Sequence, residues 1–154
     1  MRDVLRLSVA GLAALTLVLT GCGGDRDDEA TGETRATGEA RTIELAAQSG
    51  SRQSGTATLT PIGKSTNVVI ELSNSRGEPQ PAHIHSGTCE RLGGIAYQLH
   101  EVEGGSSQTR VQASLGFLSG ASDAAFAVDV HEAAGELDSN VACGTLSSGL
   151  PHPP

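Results

Sequence analysis

The sequence predicts an all-β domain, a sandwich or a barrel, on three observations. From Thr42 onward the chain is a series of short runs in which apolar and polar residues alternate. None of the runs sustains the 3.6-residue period of a helix. Clusters of Gly, Ser, Asn and Pro separate them, and eight such runs suit a sandwich or barrel.

Ahead of this domain lie two segments of different character. Arg2 and Arg6 give a positive start, and the fourteen mostly apolar residues of LSVAGLAALTLVLT follow. That length is too short to span a bilayer comfortably and reads as an export signal over residues 1–21. Leu-Thr-Gly-Cys at residues 19–22 resembles the lipobox of bacterial lipoproteins, which implies Cys22 as the lipidated N-terminus and membrane attachment through it. An uncleaved anchor or a cut elsewhere are the alternatives, and all three place the domain outside the cytoplasm, in the cell envelope. Residues 22–41 hold no Ile, Leu, Val or aromatic and cannot bury enough apolar surface to offset the entropy of ordering. They read as a tether spanning roughly 25 Å.

The predicted strands run Thr42–Ala47, Gly55–Thr60, Asn67–Leu72, Ala82–His85, Ile95–Val102, Thr109–Leu115, Ala124–Glu132 and Asn140–Leu146. Val68, Ile70 and Leu72 share a face while Glu71 points to water, and Asn74-Ser75-Arg76-Gly77 then turns the chain. Pro79 and Pro81 bracket the entry to the fourth strand, which predicts an edge or a loop mouth there. The domain takes in residues 42–148, and 149–154 form a Pro-rich tail. With Tyr97, Phe117 and Phe126 as the only aromatics, the core must come from Val, Leu, Ile and Ala. The formal charge of −8 becomes −9 without residues 1–21, with 8 basic against 17 acidic residues, and this excludes nucleic acid as a natural partner.

The stretch with the most chemistry is Pro81–Cys89. In an extended Ala82–His85 the period of two points His83 and His85 to one face and Ile84 to the other. Same-face neighbours about 6.5 to 7 Å apart can converge on one metal ion. A third imidazole comes from the seventh strand, where Phe126, Val128 and Val130 form one face and Ala125, Ala127, Asp129 and His131 the other. By this parity His83, His85 and His131 all lie on the outer face, open to solvent, and a metal site there is external to the core. Three neutral imidazoles suit Cu(II), and zinc also fits them. In an exported chain Cys89 and Cys143 form an even pair, open to a disulfide worth about 4 kcal/mol, with two free thiols or a thiolate ligand as alternatives. His100 falls at an exposed strand end beside Glu101, and His152 in the tail LPHPP; neither has an obvious partner. No phosphate loop, Ser-His-Asp arrangement or paired catalytic carboxylates stands out, and Lys64 is the only lysine, which leaves hydrolase and Schiff-base readings weak.

Three fragments together, AHIHSGTC at 82–89, VDVHEAAGELD at 128–138 and NVACGTL at 140–146, resemble the copper/zinc superoxide dismutase family and its small bacterial relatives. The resemblance covers about Thr42 to Leu146. It implies an immunoglobulin-like Greek-key β-sandwich, copper held by His83, His85 and His131, a Cys89–Cys143 disulfide, and superoxide as the small ligand. The chain also departs from the family. The long loop with a bridging histidine and the remaining zinc ligands is missing, so no zinc site is expected, and Asn140 stands where the family has a guiding arginine. A chordin-type domain, which also carries a His-x-His strand, is the structural neighbour. Three functions follow as expectations: a dismutase, a copper-binding module without turnover, or a structural and interaction domain.

Overall fold

The computed structural model describes residues 38–121 and 125–146. The export signal, Cys22, most of the tether, the tail and His152 lie outside the described residues.

Eight strands form: β1 (Arg41–Ala47), β2 (Ser54–Ile62), β3 (Ser65–Ser73), β4 (Ala82–Thr88), β5 (Arg91–Gln98), β6 (Ser106–Val111), β7 (Phe126–His131) and β8 (Asn140–Leu146). All pairings are antiparallel, in the order β5-β4-β7-β8-β1-β2-β3-β6. The all-β prediction holds. β1 joins the two halves of the sheet, since Arg41 to Leu45 pair with β2 while Ala46 and Ala47 pair with β8. One continuous sheet thus curls over a single core, which draws Ala57, Leu59, Val68 and Ile70 from one half and Ile84, Val128, Val130 and Val141 from the other.

Local sequence explains most of this. Val68 and Ile70 are fully buried and Leu72 packs against the same core, as the alternation in β3 predicts. Ile84 and the Phe126, Val128, Val130 face also point inward as predicted. Cys89 and Cys143 form a disulfide with Cα atoms 5.9 Å apart, tying the β4–β5 turn to β8.

Several boundaries differ from the sequence reading. β4 runs on to Thr88, and only Cys89 and Glu90 turn the chain into β5, where a longer loop is expected. β5 therefore starts four residues early and ends at Gln98, leaving His100 outside it. As an edge strand exposed over most of its length, β5 has no need of apolar alternation, and Gly93-Gly94 concealed it. β6 likewise starts at Ser106 and ends at Val111, and β2 and β3 are longer than predicted. The two prolines do not mark an edge: β4 has β5 on one side and β7 on the other. Pro81 lies just before the strand and contributes only its carbonyl, which accepts from the His131 amide at 2.9 Å.

Candidate metal centre

β4 and β7 are neighbours, and their register brings the polar groups together. His83 lies directly opposite Asp129, and His85 opposite Ala127, whose methyl leaves room on that face. Directly opposite residues share a face about 5 Å apart, and diagonal ones remain within reach of long side chains. His85 and His131 are therefore the diagonal neighbours of Asp129 and His83 respectively. A ligand atom from each of His83, His85, Asp129 and His131 lies within 4.8 Å of the others, so the four form a group able to hold a metal ion.

Three of the donor distances match the spacing around one ion. His83 Nδ1 and His131 Nε2 are 2.9 Å apart, His85 Nε2 and Asp129 Oδ1 3.2 Å, and His131 Nε2 and Asp129 Oδ2 3.5 Å. With metal–ligand bonds of about 2.0 to 2.1 Å, neighbouring donors lie about 2.9 Å apart in a square plane and about 3.3 Å apart in a tetrahedron. His85 Nδ1 donates to the Gly93 carbonyl at 2.8 Å, which leaves Nε2 as the bare nitrogen that faces the group. Gly93 lets the two strands approach closely: a Cβ on it would lie 2.5 Å from Ser86 Oγ and 3.0 Å from the Ser86 carbonyl oxygen, so Ser86 would have to shift. The His131 backbone is fixed too, its amide donating to Pro81 and its carbonyl accepting from Gln80 Nε2 at 3.2 Å.

The outer face is covered, and this corrects the expectation of solvent-exposed histidines. His83, His85 and His131 are only 6%, 9% and 2% exposed, and Asp129 is fully buried. Parity settles which side of the sheet a residue takes but says nothing of what lies over that side. The Gly93 carbonyl of β5 sits against His85, and the β7–β8 connection, folded on itself by the Glu132–Ser139, Ala133–Glu136 and Glu136–Ser139 backbone hydrogen bonds, follows directly on His131.

Burial sets the protonation. Desolvation holds His83 below the usual imidazole range, with the nearby His85 charge adding to the effect. His131 is pushed down to about 4 by burial and by His83 and His85, against the smaller opposing influence of the Leu137 main chain and Asp138. Burial pushes the Asp129 carboxyl up to about 6, with His85 pulling it back. At neutral pH His83 and His131 are thus neutral imidazoles, the form that binds metal. Among the described residues His85 Nε2 and both Asp129 oxygens are buried without a hydrogen-bond partner, an arrangement that suits a cation.

The three histidines singled out in the sequence come together in the structure. Asp129, which the sequence reading placed on their face without giving it a role, joins them. Its signal was the Asp-x-His spacing, which sets Asp129 and His131 on one side of β7. His100 stands apart, its Nδ1 donating to the Gln108 carbonyl at 2.8 Å and its amide to Thr109 Oγ1. Copper and zinc both accept imidazole and carboxylate, and these residues fit either.

Fold and site together define a class: an all-β domain with a buried three-histidine, one-aspartate group able to hold a metal ion. Comparison with known proteins takes the identification no further, since a scan against family models, a search of curated proteins and a search of solved structures each returned no match.

Proposed function

We propose that this chain is an exported, lipid-anchored lipoprotein whose copper/zinc superoxide dismutase-like β-sandwich holds copper through His83, His85 and His131. The carrying observation is the convergence of these three buried side chains, drawn from β4 and β7, on one point with His85 Nε2 left bare. Three imidazoles and a buried location suit copper, and the order of the motifs along the chain agrees with the resemblance. The remaining elements of the proposal rest on the sequence: Cys22 as the anchored residue, the cell envelope as location, and the Greek-key arrangement as the finer description of the fold. Bound copper supplies one-electron redox chemistry. The residues of this chain supply the neutral donors, the fixed tautomer at His85 and the exclusion of water around them.

Capture or storage of the ion is the reading the geometry favours. Dismutation of superoxide is the second, favoured by the His-x-His and Val-His-Glu fragments, while Asn140 and the acidic surface offer an anion no guidance. Metal analysis of the native protein, with copper titration followed by thermal unfolding, tests the proposal. Stoichiometric copper, and a melting temperature that rises with copper in the parent but not in His131→Ala, is the expected result. Equal copper affinity in parent and His131→Ala rules the three-histidine site out. A dismutation rate above that of free aqueous copper decides for the second reading.

A further inference from the structure

The three histidines account for a copper site without help from Asp129, which leaves a fully buried carboxylate to be explained. A buried carboxylate that serves the fold is met by donors such as backbone amides or hydroxyls. Among the described residues Asp129 has none: neither oxygen has a hydrogen-bond partner. Each oxygen instead faces an imidazole nitrogen. Oδ1 lies 3.2 Å from His85 Nε2 and Oδ2 3.5 Å from His131 Nε2. Because His85 Nδ1 carries the proton given to Gly93, its Nε2 presents a lone pair to Oδ1. Two lone pairs facing each other at this distance call for a cation between them, either a proton or a metal ion.

We propose that Asp129 is a fourth ligand and that its charge makes this a centre for divalent ions, favouring Cu(II) over Cu(I). The inference rests on the metal-binding reading above and deepens it. Three neutral imidazoles leave the full charge of the ion in a buried site. A carboxylate at bonding distance stabilises a doubly charged ion about twice as much as a singly charged one by Coulomb's law. Its hard oxygen also suits a divalent ion, whereas soft sulfur ligands are the ones that select Cu(I). Four protein donors fill a four-coordinate shell, so the centre resembles a closed site that retains its ion more than one with a position kept for substrate. Zn(II), of the same charge and content with the same donors, gains from Asp129 in the same way.

The test compares the full chain with Asp129→Asn and Asp129→Val by competition titration with Zn(II), Cu(II) and Cu(I), each against a chelator of known affinity. Expected for both variants is at least a tenfold loss of Zn(II) and Cu(II) affinity with less than a threefold change for Cu(I). The copper reduction potential then rises by about 59 mV for each tenfold change in the ratio of the two copper affinities. The paramagnetic resonance spectrum of the Cu(II) protein changes as an oxygen donor is lost. Circular dichroism of the ion-free proteins shows that the variants fold, and Asp129→Val, with no polar atom to strand, keeps the comparison open where Asp129→Asn does not fold. Unchanged affinities, or equal losses in both oxidation states, overturn the role of Asp129 while leaving the three-histidine reading intact. A parent chain that binds none of the three ions overturns both.

Discussion

β3 and β7 are both central strands of one sheet, yet their sequences serve different ends. In β3 the inward Val68 and Ile70 are buried, while Glu71 on the other face is exposed. Folding alone explains that alternation. β7 is buried on both faces, and the face away from the core carries Ala127, Asp129 and His131, beside His83 and His85 of β4. A strand that buries a carboxylate with no hydrogen-bond partner among the described residues is weakened by it, since an unpaired buried polar group costs about 1 to 3 kcal/mol, more if charged. One region is therefore built for stability, and the other gives some up for a site.

The comparison is sharpest where the two regions are cut separately. Ile70→Ala opens a cavity in the aliphatic half and should lower stability by about 2 to 5 kcal/mol in denaturant, with or without metal, while metal affinity stays within a fewfold of the parent. A large loss of affinity in that variant would show that the core and the site are one unit.

The disulfide joins the two regions and should behave accordingly. Cys89 lies in the turn directly after the histidine strand, and its amide also donates to Thr145 Oγ1 of β8 at 3.1 Å. Cys89→Ser should cost on the order of 2 to 5 kcal/mol and, unlike Ile70→Ala, weaken metal binding too, because the turn positions the end of β4 and the Gly93 carbonyl that orients His85. Stability loss with unaltered affinity would separate the bridge from the site.

Metal addition reverses the comparison. An ion that binds only the folded state should stabilise the protein by about 2.7 kcal/mol at a hundredfold excess over its dissociation constant. His83→Ala and His131→Ala should lose most of that gain, whereas Ile70→Ala should keep it in full. Parallel metal-induced shifts in all three variants, followed by differential scanning calorimetry, would place the ion elsewhere.

The sequence makes the aliphatic half and the strand faces legible, because both follow from alternation, and the parity of His83, His85 and His131 about Ile84 and Val128 is right. It does not make burial legible. Gly93 of the edge strand β5 meets His85, and Leu137 and Asp138 of the β7–β8 connection lie beside His131; neither segment has a periodic pattern. The bounds of β5 are hidden in the sequence because an exposed edge tolerates glycines and charges at any position. Asp129 shares the face of His131 by the same parity that found the histidine, but acidic residues are common on outer faces. Its significance depends on its burial with no donor to either oxygen among the described residues, which only the packed structure displays.

The smallest effect concerns pH, and its sign distinguishes the two kinds of buried group. His131 titrates near 4 in the folded protein against about 6.5 unfolded, and His83 is shifted the same way. A lowered folded pKa means that the unfolded chain binds the proton first, so these two groups contribute stability above pH 6.5 that is lost as pH falls toward 4. Asp129 runs oppositely. Raised from 3.8 to about 6, it is protonated first in the folded state, so ionising it costs stability as pH rises through that window, and acidification gives the stability back. In the ion-free parent the Asp129 gain therefore offsets part of the histidine loss between pH 6.5 and 4, leaving a shallow decline. Asp129→Asn removes the offset. That variant should match or exceed the parent in stability at pH 7 and lose stability more steeply down to pH 4. Urea midpoints at pH 7, 5.5 and 4.5 measure both slopes. Parallel slopes would mean that Asp129 does not sit ionised and unpaired in the ion-free fold.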